Sequence, residues 1–452
     1  ASTMMIRINA VPINYDLIVE DESLGFENGW SFPLIGEKVW ILNKSTIGYL
    51  FNKEVLKSLT GNEKITLKDW LEYEKNFLNS KPEVNPRIGK IQMFMEEEIP
   101  LLVNFEDLIR YHFGVFAFTG GGKSNLVANL IRKAFLHKDE IKVIIFDISC
   151  EYIVLLLDLL CKEKNALIVI DKEIEKAEDL YKSIVKPKAF EKKEIEKKII
   201  EKLDNLQKED KIKIFREEEK KTYSKILHLL EKSKENYEGK TQYFLVDSML
   251  TSLRSYMEEK NVDENSEVSA EQLMEIAEKF EEIIEKSKMK YPPDDIPKAI
   301  RSWAEMLKGE KESEEGKENR ITVDDLLQRL TSDEKEIIVL NIPDPVAIRN
   351  LAITLTTEVL SRRKREFKIS PFILFVFDEA QEFIKSPEKS KGEERDCSEA
   401  IEDLSRHGRK YGLGVCISTQ RIAHLNTNVL QQLHTYFIGT LPRPYDLSLI
   451  HI

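Results

Sequence analysis

The sequence is poor in the features that mark secreted, membrane-spanning or metal-caged proteins. Its four cysteines, Cys150, Cys161, Cys397 and Cys416, are scattered and form no CxxC pair. That excludes a disulfide framework and a zinc ribbon, and points to a reducing, cytoplasmic setting. No apolar run is long enough to cross a bilayer. The opening stretch Ala1–Ile13 lacks the basic start, long apolar core and small-residue cleavage site of a signal peptide, so no membrane is expected. A positive balance is missing as well. The net charge of -12 excludes a chain coated in basic surface. It leaves room for an assembly that gathers Lys and Arg in a narrow channel while its outer face stays acidic.

What is present is a chain of 452 residues, 42% hydrophobic and 33% charged, long enough for two or three cores. Residues 4–100 show short strand patterns, Met5–Asn9, Asp16–Glu20, Lys38–Leu42 and Ile91–Met95, with helical stretches at Phe51–Leu59 and Leu67–Phe77. They read as a small β-rich, barrel-like domain. Residues 101–170 open an α/β pattern: the strand Gly114–Phe118, the helix Lys123–Leu136 and the apolar run Lys142–Ile148. Residues 171–319 are dense in Lys and Glu and helical in period, as in Tyr223-Ile226-Leu227-Leu230. They read as a helical insertion, broken at Pro292-Pro293 and ending in a charged linker over Lys308–Asn319. Residues 320–446 resume the α/β pattern with strands at Glu336–Ile342, Phe372–Phe377, Gly414–Ser418 and Tyr436–Leu441. The fold class is therefore α/β, with a mostly parallel sheet at its core; the motifs that follow make this core RecA-like, of the P-loop ATPase kind. Ala1–Thr3 precede the first plausible start, and Leu447–Ile452 match what the genetic code gives for a transposase end used in sequencing libraries. Both ends read as non-native.

Ala117-Phe118-Thr119-Gly120-Gly121-Gly122-Lys123-Ser124 follows a strand and opens a helix, the context a P-loop needs. Three glycines let the backbone N–H groups close round phosphates, and the helix N-terminus adds partial positive charge. Lys123 reaches the β- and γ-phosphates of ATP, and the Ser124 hydroxyl ligates Mg²⁺. The strand Phe372–Phe377 ends in Asp378-Glu379, two carboxylates that need a cation or water to offset their desolvation. Asp378 suits the metal, and Glu379 suits a general base for the attacking water. Gln420, after the strand Gly414–Ser418, is placed to sense the γ-phosphate. Arg406 and Arg409 are candidates for a cation donated across a subunit interface, with helix-end charge compensation as the plainer reading. His112 and His407 are more simply structural histidines.

These motifs together resemble the HerA family of hexameric DNA translocases. The similarity rests on Ile99-Pro100-Leu101-Leu102-Val103 and His112-Phe113 before the P-loop, and on Phe146-Asp147-Ile148-Ser149-Cys150-Glu151-Tyr152. Asp378-Glu379-Ala380-Gln381-Glu382-Phe383, Gly408-Arg409-Lys410-Tyr411-Gly412 and Thr419-Gln420-Arg421 complete it. The resemblance implies ATP and Mg²⁺ as cofactors, with Thr119 to Ser124, Asn125, Asp147 and Glu151 round the nucleotide. It also implies a homo-hexamer that threads DNA and processes DNA ends with a NurA-type nuclease. Three departures stand out. Tyr111 occupies the place of a family Arg, Ile422 replaces the usual Pro after Thr-Gln-Arg, and the family's C-terminal segment that packs on a neighbour is missing. Rival readings are a related motor for conjugation, viral packaging or defence, and a nucleotide-gated scaffold, which the presence of Glu379 disfavours. The cluster Arg362-Arg363-Lys364-Arg365 reads either as phosphate contacts or, more simply, as a helix C-terminal cap.

Overall fold

A computed structural model describes residues 15–20, 23–28, 42–77, 86–94, 97–118, 120–174, 176–216, 222–237, 239–264, 266–289, 292–312 and 319–441. The strands are β1 Tyr15–Glu20, β2 Ser23–Asn28, β3 Arg87–Phe94, β4 Glu97–Leu102, β5 Phe113–Phe116, β6 Ile141–Phe146, β7 Ala166–Ile170, β8 Ile212–Phe215, β9 Arg320–Ile321, β10 Glu336–Asn341, β11 Phe372–Phe377, β12 Leu413–Thr419 and β13 Thr435–Ile438. Nine of them form one sheet in the order β13-β5-β12-β11-β6-β10-β7-β8-β9. Parallel pairing runs without interruption from β13 to β7, and β8 pairs β9 in parallel too.

The central strands are apolar on both faces because helices cover both. Every residue of β5, β6, β7, β10 and β12 is buried, the sequence habit of a parallel sheet core. At the edge, β13 alternates half-buried and exposed residues. The helix Pro345–Glu366 feeds β11. It starts on Asp344, whose carboxylate accepts from the Val346 and Ala347 N–H groups, and has Pro345 in its first turn. Its end explains part of the basic cluster. Arg363 is buried and donates to the carbonyls of Ser370 (2.8 Å) and Pro371 (2.7 Å), steering the chain into β11. Lys364 and Arg365 stay exposed.

The chain divides into two compact units, one made of residues up to Lys213 and from Asp324 onward, the other Ile214–Val323. In the first unit the segment 171–213 continues the α/β pattern, with helix Lys193–Lys208 and the first two residues of β8. In the second, helices Tyr223–Asn236, Gln242–Lys260, Ala270–Ser287 and Asp295–Glu312 enclose a core of Tyr223, Leu230, Met249, Leu273, Phe280 and Ile300. The break at Pro292-Pro293 falls between the last two helices. The expected charged linker is helical as far as Glu312, since alternating Lys and Glu support a helix as readily as they solvate a loop.

The described N-terminal strands form two separate hairpins, β1 with β2 and β3 with β4, beside helices Lys44–Thr60 and Leu67–Phe77. Asn52 is fully buried. It donates to the Gly48 and Pro100 carbonyls and accepts from Leu102 N–H, fastening the first helix to β4. The predicted strand Met5–Asn9, most of Lys38–Leu42, and the tail Leu447–Ile452 lie outside the described residues.

Candidate functional site

The site forms at the C-terminal ends of β5, β12, β11 and β6, the edge where open α/β sheets take ligands. Sheet order decides which side chains meet there. β12 runs between the P-loop strand β5 and the acid-bearing strand β11, so a residue at its end stands between the phosphate loop and the carboxylates.

From β5 the chain enters the glycine loop. Gly120 and Gly122 have φ of 84° and 79°, with open space where a side chain would project. Both positions need glycine's freedom. Gly122 begins the helix Lys123–His137 with no side-chain cap, which leaves that helix end suited to an anion. Ser124 is half-buried and Asn125 exposed, while Thr119 lies outside the described residues.

Lys123, first in that helix, is buried and turns into the carboxylates. Its Nζ lies 2.9 Å from Asp378 Oδ1, 3.3 Å from Glu379 Oε1 and 3.2 Å from Ser418 Oγ. Burial alone lowers its pKa, but the two carboxylates outweigh this and hold the ammonium above the ordinary lysine value. Asp378 is fully buried and fully engaged. Its Oδ1 accepts from Lys123, from Ser418 Oγ (2.9 Å) and, at longer range, from Tyr152 OH (3.4 Å). Its Oδ2 accepts from Ser149 Oγ at 2.6 Å. Burial and then Asp378 push the Tyr152 phenol well above its ordinary value.

Asp147 follows β6 and adjoins Asp378 through the register Phe146↔Phe377. Its oxygens accept from the Glu151 and Tyr152 N–H groups (3.1 and 2.8 Å) and lie within reach of Ser149 Oγ (3.2 Å). Asp147 therefore shapes the turn that presents Ser149 and Tyr152 to Asp378. Burial, then Asp378, raise its pKa to about 7, against the pull of those three hydrogen bonds.

Glu379 has a left-handed backbone, φ 47°. Its Oε2 accepts from Gln381 Nε2 at 2.8 Å, and Gln381 Oε1 accepts from Thr419 Oγ1 at 2.5 Å. Gln420 is half-buried just beyond β12. Arg406, at the end of helix Glu393–His407, is exposed and pairs with Glu402 at 2.6 Å. Arg409 stacks on the Tyr111 ring at 4.0 Å. His407 is exposed, whereas His112 is buried and structural. Its Nδ1 accepts from Val415 N–H and its Nε2 donates to the Ser405 carbonyl.

Sequence reasoning paired Lys123 with Asp378 and Glu379, and the structure brings them together. It did not single out Ser149, Ser418, Gln381 or Thr419. Ser418 and Thr419 carried one legible signal: they are the first polar residues after an apolar run on the strand next to the acids.

These residues fit a magnesium triphosphate. The loop leaves room and N–H groups for phosphates, and Ser124 and Asp378 are hard oxygen donors. Mg²⁺ commonly takes one or two carboxylates together with substrate phosphates. Among the described residues no group of three or more His, Cys, Asp and Glu forms a protein-only cage, and no helix is long and apolar enough to cross a membrane.

A parallel sheet with an extra strand between P-loop and acids, closed by a lysine–carboxylate pair, defines the RecA-like P-loop ATPase fold. The family described as "Helicase HerA, central domain" matches residues 86–342, more than half of the chain, and the chain belongs to that family. The match covers the P-loop and stops before Asp378. No curated protein matches the chain. Among solved structures, VirB4 of Thermoanaerobacter pseudethanolicus is 11% identical, with 80% of this chain and 88% of that one covered at a TM-score of 0.38. The plasmid coupling protein TrwB, in complex with the ATP analogue ADPNP, is 15% identical, with 80% and 72% covered at a TM-score of 0.31. A chain of the E. coli MS115-1 HORMA:CdnC:Trip13 complex is 20% identical at a TM-score of 0.17. There 24% of this chain is covered, and it spans only 36% of that one.

Proposed function

We propose that this chain is the ATP-hydrolysing subunit of a cytoplasmic ring motor, six copies strong, that translocates DNA. Work at DNA ends beside a NurA-type nuclease belongs to the same reading and is drawn from the family resemblance. The observation that supports hydrolysis is the convergence of Lys123, Asp378, Glu379 and Ser418 on one point. Phosphate binding draws Lys123 toward the triphosphate. Asp378 would then be a buried carboxylate without its cation, a costly state; Asp378 and Ser124 would be the residues to hold Mg²⁺, whose charge would offset that cost. The metal supplies charge neutralisation at the phosphates. Glu379, part-exposed, accepts the proton of the attacking water. Asp147, both of its oxygens engaged, acts by holding the turn.

The test is ATP turnover by the full-length protein with and without DNA. DNA stimulates the wild type. Lys123→Ala loses ATP binding. Glu379→Gln keeps binding but loses turnover by about 10²-fold or more. Absence of DNA stimulation removes the translocase reading, and wild-type turnover by Glu379→Gln removes the assigned base.

A further inference from the structure

Glu379 is held by two neighbours of different permanence. Oε1 faces Lys123 Nζ at 3.3 Å, a contact that lasts only until Lys123 turns to phosphates. Oε2 accepts from Gln381 Nε2 at 2.8 Å, and this contact need not break when nucleotide binds. The amide of Gln381 has one sensible orientation. Reversed, its oxygen would face a carboxylate. As it stands, its oxygen accepts from Thr419 Oγ1 at 2.5 Å, and Thr419 Oγ1 in turn accepts from the Arg421 N–H at 3.0 Å. Thr419 is the last residue of β12 and fully buried. A continuous chain of hydrogen bonds thus joins the backbone beyond β12 to the carboxylate beside β11.

We propose that Gln381 is the positioning residue of the hydrolytic site, clamping Glu379 to Thr419 so that the end of β12 and the general base move together. The clamp rests on the reading of Glu379 as that base. Once Lys123 has left, Gln381 keeps one carboxylate oxygen occupied and leaves the other aimed at water. Small errors in the aim of such a group are expensive in rate.

The experiment is steady-state ATP hydrolysis by the full chain with DNA present. Gln381→Leu is expected to lower kcat about tenfold with KM for ATP within about twofold. Thr419→Val, the isostere lacking a hydroxyl, shows the same split, and Thr419→Ser restores most of the rate. The double variant is no slower than the slower single one, as for two residues acting through one contact. Gln381→Glu guards against a folding loss. It keeps the size and the acceptor toward Thr419 but sets a second carboxylate where the amide donated to Glu379, and is expected to lower kcat at least as far as Gln381→Leu, with KM for ATP within about twofold. Wild-type kcat in Gln381→Leu or in Gln381→Glu, or additive losses in the double variant, overturns the clamp while the motor reading stands. Full turnover by Glu379→Gln overturns the base assignment and the clamp with it.

Discussion

Arg406 and Arg409 sit near the same helix end, yet their surroundings separate them. Arg409 is spent on the Tyr111 ring, 4.0 Å from its guanidinium carbon. Arg406 is exposed and makes one i,i+4 pair with Glu402, a contact worth about 0.3–0.5 kcal/mol. It can leave that pair at almost no cost, as a cation reaching to a neighbour's nucleotide must. Arg406→Ala is therefore expected to keep the unfolding midpoint and ATP affinity of the wild type while losing turnover by about 10³-fold. In the proposed ring, mixing it with Glu379→Gln subunits should recover part of the activity, each variant spoiling a different half of a site shared between neighbours. Unchanged turnover in Arg406→Ala takes Arg406 out of the reaction.

Elements of the sheet were legible where burial and length coincide. Phe372–Phe377 is apolar throughout, opens after a Ser-Pro turn signal and ends at Asp378-Glu379, and the strand observed has the same bounds. β7, Ala166–Ile170, is a short apolar run without a motif, and such runs look alike in helix and strand; β8, Ile212–Phe215, holds only four residues, Ile-Lys-Ile-Phe, too few for a period to show. The meeting of Ser149, Ser418 and Asp378 was illegible for another reason. It depends on strand order, with β12 between β5 and β11, and serine has no spacing signal of its own.

His112 shows how one such junction works at this scale. It joins the loop before β5 to Val415 of β12 and to Ser405 of helix Glu393–His407. The accepting Nδ1 requires the neutral ring, and burial pushes the pKa down to about 4 against the pull of the Ser405 carbonyl. The unfolded chain takes up this proton near pH 6.5 and the folded chain only near 4. Between those values the unfolded state binds more protons, so stability falls as the pH falls. The contribution is intact above about 6.5 and is lost by about 4, up to ~3 kcal/mol. Denaturant melts of wild type and His112→Gln across pH 4–7 check this: the variant should lack that part of the slope, and identical slopes contradict it.

For the molecule as a whole, every described residue of the nucleotide site belongs to the first compact unit, while Ile214–Val323 encloses a core of its own. A segment with its own core owes little of its stability to its host. Its entry and exit are also close, since Ile214 pairs with Arg320 and Phe215 with Ile321. Replacing residues 217–318 by a flexible linker of about a dozen glycines and serines, enough to rejoin two parallel strands, should leave the Lys123–Asp378 site standing. Calorimetric titration of that shortened chain is expected to give an ATP affinity within about threefold of the wild type, less than the 1.4 kcal/mol that a tenfold change represents. Retained binding with lost DNA stimulation would assign the helical unit to the cargo side of the motor. Loss of ATP binding by a shortened chain that still unfolds cooperatively would show that the phosphate site depends on a unit that contributes none of the residues described at it.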